Sequence, residues 1–260
     1  MMNLEQIILF SKETGLPPGR ERQALAEYLQ CVILQIIANS DLVDKLSFIG
    51  GTSLRFFYGL PRFSEDLDFD NFGLSQDDFT KLINTVSKKL TDQGFIVECS
   101  IKIKGAYHCY VRFGNLLFQN KLSAHADEKI LVKIDTVPQD FSVKKDLKFF
   151  NRYGIVEEMN INSLDILMAQ KILAILGRKT SKGRDFFDFT FLDGLTKPNI
   201  DYLNYKVGIK TMVELKERLL QRCAEVNFKE MARDVEPFLF NHDDVVRITK
   251  FPQYVAGWNV

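Results

Sequence analysis

Three aspartates, Asp66, Asp68 and Asp70, recur at alternate positions in EDLDFD, shortly after the stretch GGTS at Gly50 to Ser53. On an extended strand, side chains two apart project to one face, so Asp66 and Asp68 would stand side by side. A third carboxylate on a neighbouring strand, Asp135 in VKIDTVP, would complete a set of hard oxygen ligands of the kind that holds Mg²⁺. Two such ions about 4 Å apart clamp the attacking and leaving oxygens of a phosphoryl displacement. Gly50, Gly51, Thr52 and Ser53 offer the complement. Glycines let the backbone approach a ligand closely, amides at a helix start favour anions, and a hydroxyl can add a donor, so a nucleoside triphosphate suits the loop.

Other chemistries fit these residues less well. The loop lacks GxxxxGK[ST], and no GxGxxG lies near it, which disfavours a Walker-type ATPase and a dinucleotide fold. A calcium loop opening at Asp66 fails at its sixth position, Asn71, where glycine is wanted, and at its twelfth, Asp77, where glutamate is expected. An isolated acidic triplet is more often the solvated face of an edge strand. Here the upstream glycines and hydroxyls argue for a site.

The elements that must position these residues follow from periodicity. Leu46 to Ile49 reads as a brief strand running into the Gly50-Gly51-Thr52 loop, with one or two helical turns from Ser53 to Tyr58 closed by Gly59 and Pro61. Asp66 to Asp70 has strand period. Ser75 and Asp78 resemble a capping box, and Phe79, Leu82, Ile83, Val86 and Leu90 continue one helical stripe. Strands are predicted over Phe95 to Ile103, Tyr107 to Phe113 and Lys129 to Val137, and a buried helix before them, after Leu16-Pro17-Pro18-Gly19, through Leu25 to Ile37. From Asn162 the pattern turns helical, with Ser163 as a cap, and further helices are predicted over 183–191, 201–207, 212–226 and 229–240. The change in composition near Tyr153 to Ile161 marks a domain boundary: 1–158, and a helical 159–260 expected to complete the active-site cleft.

Composition bounds the class. The 260 residues, 46% hydrophobic with 22 phenylalanines, supply a sizeable globular core. Lys+Arg and Asp+Glu are both 34, so any nucleic-acid binding must rest on a local patch. Cys31, Cys99, Cys109 and Cys223 form no CxxC, no signal peptide opens the chain, and the longest apolar runs are too short for a bilayer, so a cytoplasmic, non-membrane protein is expected.

GGTSL followed by RFSEDLDF resembles the AbiEii/AbiGii toxin family, within the DNA polymerase β-like nucleotidyltransferase superfamily. VKIDT around Asp135 and AQKILAILGRKTSKGRDFFDF resemble the family's later motifs, and the likeness covers about residues 25 to 195. It implies an α/β (α+β) polymerase β-like core with a mixed or antiparallel sheet plus a C-terminal helical domain. It further implies a Mg²⁺-dependent enzyme that transfers a nucleotide from an NTP to an acceptor hydroxyl, such as a tRNA 3′ end or other RNA, as the toxin of a toxin–antitoxin or abortive-infection pair with a cognate antitoxin. Asp66 and Asp68 would bind metal, and Asp135 would bind one metal and activate the acceptor. Gly51, Thr52 and Ser53 would cradle phosphates, Lys171 would neutralise triphosphate charge, and Asp185 would support the site. Arg62 and Ser64 occupy the family's Arg-x-Ser, whereas Ser53 stands where the family often has alanine.

Several residues keep a plainer reading beside this one. Lys171 could snorkel from an apolar stripe. Arg178, Lys179, Lys182 and Arg184 could contact RNA phosphates or only complement a helix dipole. His108, His125 and His242 have no metal-ligand spacing and read as structural or exposed. A metal-dependent nuclease using the same acids, or a catalytically inactive nucleotide-binding module, are the rival functions.

Overall fold

The computed structural model describes residues 2–259. The chain divides into two compact units, residues 1–59, 63–140 and 145–161 in the first and residues 60–62, 141–144 and 162–260 in the second.

The first unit is a sheet with helices. Its elements in order are α1 (Leu4–Glu13), α2 (Glu21–Ala38), β1 (Leu46–Ile49), α3 (Gly50–Tyr58), β2 (Asp66–Asn71), α4 (Gln76–Asp92), β3 (Val97–Lys104), β4 (Ala106–Phe113), α5 (Leu116–Gln119), β5 (Ile130–Pro138), β6 (Lys145–Arg152) and β7 (Ile155–Asn162). The strands form one mixed sheet in the order β3-β4-β5-β2-β1-β7-β6. β2 lies at its centre, antiparallel to β1 and parallel to β5.

Local sequence accounts for most of these elements. Ser75 accepts from the Asp78 amide and Asp78 reaches back to the Ser75 amide, so aspartate closes the capping box at the start of α4. The five residues of the predicted stripe are the buried face of that helix. Gly105, at φ +74°, makes the tight connection between β3 and β4.

Strands β6 and β7 were not predicted. Ile155 to Ile161, read as a boundary, forms an inner strand that pairs in parallel with β1 through Phe48 and Ile161. The tight connection runs through Tyr153 and Gly154, both at positive φ. The helix after Ile49 also starts earlier than predicted: Gly50 to Ser53 is not a loop but the first turn of α3.

A buried charge cluster ties α2, α3 and β6 together. Arg55 Nε donates to Glu27 Oε1 at 2.9 Å and Arg152 Nη2 to the Arg55 carbonyl at 2.8 Å. Burial, and then the neighbouring Arg55 charge, draw the Arg152 pKa below its usual value, against the pull of Glu27.

The second unit is helical: α6 (Leu164–Gly177), α7 (Gly183–Asp193), α8 (Ile200–Val207), α9 (Met212–Glu225), α10 (Phe228–Val235), α11 (Val246–Thr249) and α12 (Phe251–Ala256). Its core stacks Phe186, Phe189, Phe228, Phe251 and Trp258 edge to face or in parallel. Ser163 is the N-cap residue of α6 but makes no capping bond, because its hydroxyl turns to Asp165 Oδ1 at 2.5 Å.

Candidate active site

Strand alternation sorts β2, β4 and β5 into two faces. Leu67, Phe69, Cys109, Val111, Val132 and Ile134 are buried on one. The other presents Asp66, Asp68, His108, Tyr110, Lys133 and Asp135, each only partly buried. Asp68 and Asp135 are direct register partners, and Asp66 pairs with Lys133. The three predicted carboxylates therefore share one face of two adjacent strands. Asp70 departs from its two neighbours: it is buried and accepts from Gln139 Nε2 at 3.1 Å.

The glycine stretch lies against the acids. Ile49 of β1 pairs with Asp68, so α3 begins beside that carboxylate. Gly50 sits at φ +77°, and a Cβ there would collide with Asp68 Oδ2 and come within 3.0 Å of its Cβ and Cγ. Only glycine leaves both the backbone conformation and the space beside the acid. The N-cap residue Ile49 makes no side-chain capping bond. The first-turn amides consequently have no capping side chain, and the positive end of the helix dipole faces the acid strand.

The hydroxyls behave differently from expectation. Thr52 Oγ1 donates to the Asp66 carbonyl at 2.5 Å, and both Thr52 and Ser53 are fully buried. Thr52 thus fixes β2 against α3 and has no hydroxyl left for a phosphate. Ser53 Oγ is buried without a hydrogen-bond partner, so any anion contact from these residues must come from their amides. Ser64 contributes its carbonyl to Gln30 Nε2 at 2.9 Å.

Asp135 is held by two neighbours. His108 Nδ1 lies 2.8 Å from Oδ1, and Lys133 Nζ donates to Oδ2 at 2.5 Å. Of the two readings, structural or exposed, His108 takes the first: it pairs across the ladder with Asp135, a relation invisible until β4 and β5 are aligned. Burial draws the Lys133 ammonium down, but its bond to Asp135 and the charges of Asp135 and Asp66 outweigh burial and leave its pKa raised.

Among the described residues no group of three or more His, Cys, Asp or Glu has metal-holding geometry as it stands. The donor chemistry nonetheless fits a hard cation: carboxylates on one face, with Gly50 keeping space open beside Asp68. Each Asp135 oxygen has one nitrogen partner, which leaves a second lone pair on either oxygen through which it could join such a set.

The remaining predicted residues gather in the second unit. Lys171 does not snorkel: its ammonium lies 2.7 Å from Asp188 Oδ2 and 3.2 Å from Asp185 Oδ1. Arg62 closes the other side of Asp188 with two bonds, Nε to Oδ1 and Nη2 to Oδ2, both 2.6 Å. Its fork is buried and committed to that carboxylate, so it has no direct reach to a nucleotide. Asp188, not predicted as a site residue, is the hub of this network. Asp185 and Asp188 stand three apart on α7 and face one lysine, which was the signal available. Burial raises the Asp188 pKa, but Arg62 and Lys171 together take it below the usual range; burial likewise lowers Lys171, while Asp188 and Asp185 raise it overall.

Most of the basic segment after α6 is also partnered. Arg178 Nη1 approaches Asp185 Oδ2 at 3.2 Å, Lys182 lies 4.0 Å from Asp234, and Arg184 sits 4.5 Å over the Phe238 ring.

A family model described as the nucleotidyl transferase AbiEii toxin of a type IV toxin–antitoxin system matches residues 32–247. The chain belongs to the AbiEii nucleotidyltransferase family. It is therefore a nucleotidyltransferase of a toxin family. Among solved structures, JHP933 from Helicobacter pylori is 20% identical with a TM-score of 0.55, covering 90% of this chain and 92% of that one. A second H. pylori protein, provisionally described as a nucleotidyltransferase, is 19% identical with a TM-score of 0.55, covering 90% and 95%. At those identities the two share the fold. No curated protein matches the chain in sequence. Among the described residues no helix is long and apolar enough to cross a membrane.

Proposed function

We propose that this AbiEii-family enzyme transfers a nucleotide from a nucleoside triphosphate to an acceptor hydroxyl on RNA, such as a tRNA 3′ end, in a Mg²⁺-dependent reaction opposed by a cognate antitoxin. The observation that carries this reading is the register of Asp68 with Asp135 on one sheet face, with Asp66 two residues away and the glycine start of α3 against Asp68.

Asp66, Asp68 and Asp135 would hold Mg²⁺, which when bound neutralises phosphate charge. The amides of Gly50, Gly51, Thr52 and Ser53 orient the triphosphate, aided by the helix dipole. Asp135, positioned by His108, takes the proton of the acceptor hydroxyl as its oxygen bonds to the α-phosphorus. The bond from that phosphorus to the bridging oxygen breaks, and pyrophosphate leaves. Catalysis on this scheme comes from positioning and charge complementarity. Lys171 is assigned to triphosphate charge, and Asp185 to support of the site, by the family pattern alone; Arg62 acts by holding Asp188.

The test incubates the protein with Mg²⁺, α-labelled NTPs and total tRNA. Label should enter RNA, pyrophosphate should accumulate, and Lys171→Ala should cut the rate by about tenfold or more, as loss of a charge acting on the transition state does. RNA shortened without any triphosphate would point to a nuclease, and NTP binding without product to an inactive module.

A further inference from the structure

Beside the acids, the same face carries an aromatic ring with three cations over it. Tyr110 of β4 has Lys102 Nζ at 5.2 Å, Arg112 Cζ at 5.6 Å and Lys133 Nζ at 5.8 Å from its ring centroid, contributed by three adjacent strands. Lys102 is exposed, and Tyr110, Arg112 and Lys133 are partly buried; Arg112 Nη1 donates to Ser100 Oγ at 2.9 Å and Lys133 Nζ to Asp135 Oδ2, and each of these cations keeps further N–H donors for a phosphate. Glu98 stands opposite Arg112 in the β3–β4 ladder and is paired with Lys129 at 2.7 Å. The buried side of these strands is covered, with Phe79 of α4 packed 5.5 Å from the Tyr107 ring. This patch is thus the solvent side of β3, β4 and β5, basic where the β2 side is acidic.

We propose that this face is a platform for a single-stranded RNA segment, with a base stacked at Tyr110 and its phosphates on Lys102, Arg112 and Lys133. Stacking on an aromatic ring inside a basic groove is how single strands are held without sequence readout. An acidic protein would use the lysines but leave the presented ring without a role, which favours nucleic acid. Register adds direction. Tyr110 pairs with Lys133, and Lys133 with Asp66, so ring and acid are two strand spacings apart, roughly 10 Å. One or two nucleotides bridge that span, placing the end of the strand at the carboxylates. Naming this strand as the acceptor rests on the transfer reaction proposed above; the platform itself does not.

Fluorescence anisotropy with a labelled 12-nucleotide oligo(A) RNA, without NTP, tests the platform separately from catalysis. Wild type should bind, and Tyr110→Ala should weaken binding about 5- to 100-fold, while Tyr110→Phe keeps it. The double variant Lys102→Gln, Arg112→Gln should flatten the log Kd against log salt slope by roughly 1.4, two single-strand phosphate contacts. A wild type that ignores the oligomer, or a Tyr110→Ala variant that is folded and binds it equally well, overturns the platform. If the oligomer binds as expected but no nucleotide is ever transferred, the platform stands and the acceptor assignment falls.

Discussion

Asp68→Asn is expected to slow nucleotidyl transfer by about 10³-fold or more, roughly 4 kcal/mol of barrier, with little change in the melting temperature. The carboxamide keeps the shape of the side chain and removes one charge. Asp68 is only partly buried and stands in register with Asp135, so the change bears on the acid face more than on the core. A structural acid would behave oppositely, losing stability with little change in rate. Gly50→Ala provides a companion: it leaves every carboxylate in place but forces a Cβ into Asp68 Oδ2 at a positive φ, so it should also lose activity. Full transfer by Asp68→Asn in the labelled-NTP assay would remove Asp68 from the chemistry, and full transfer by Gly50→Ala would mean that the close approach of α3 to Asp68 is not needed.

In the helical unit, Asp188→Asn is expected to destabilise by about 3–5 kcal/mol, because it leaves the buried Arg62 guanidinium and Lys171 ammonium without their shared counter-charge. Against a total stability of about 5–15 kcal/mol, that lowers the melting temperature by roughly 10 °C in a chain of this length. The sign of the pH dependence follows from the shifts. The Asp188 pKa is depressed, so its contribution is present above the ordinary carboxylate value and lost only as pH falls through the depressed one. The Lys171 pKa is raised, so its contribution is complete below the ordinary lysine value and lost as pH rises through the raised one. The network is therefore charged throughout the neutral range, and thermal unfolding at pH 7 should show the full loss. A fall of about 1 °C or less would mean that Asp188 is not the hub.

How far the sequence is legible varies with the range of the interaction. Strand β2 and helix α4 were read nearly to the residue, because alternation and a five-residue stripe are local signals. The β6–β7 pair was missed because Ile155 to Ile161 mixes glutamates with apolar residues and owes its strand state to β1, more than 100 residues earlier. Gly50 to Thr52 looked like a loop by composition; the chain can enter α3 directly only because Gly50 takes a positive φ. The paired acids were legible from spacing and resemblance, whereas His108 at Asp135 and Arg62 at Asp188 required knowing which strands and helices meet. What the Thr52 and Ser53 hydroxyls do was not legible for a related reason. Hydroxyl type suggested a donor, but burial against β2 decides what the hydroxyl can reach.

The most direct test of the carboxylate site is an electron paramagnetic resonance titration of Mn²⁺, standing in for Mg²⁺, with no nucleotide present to chelate the ion. Wild type should remove Mn²⁺ from the free signal, and the double variant Asp66→Asn, Asp68→Asn should leave it free at the same protein concentration. Equal Mn²⁺ uptake by the folded double variant would contradict the assignment of these strands as the metal site.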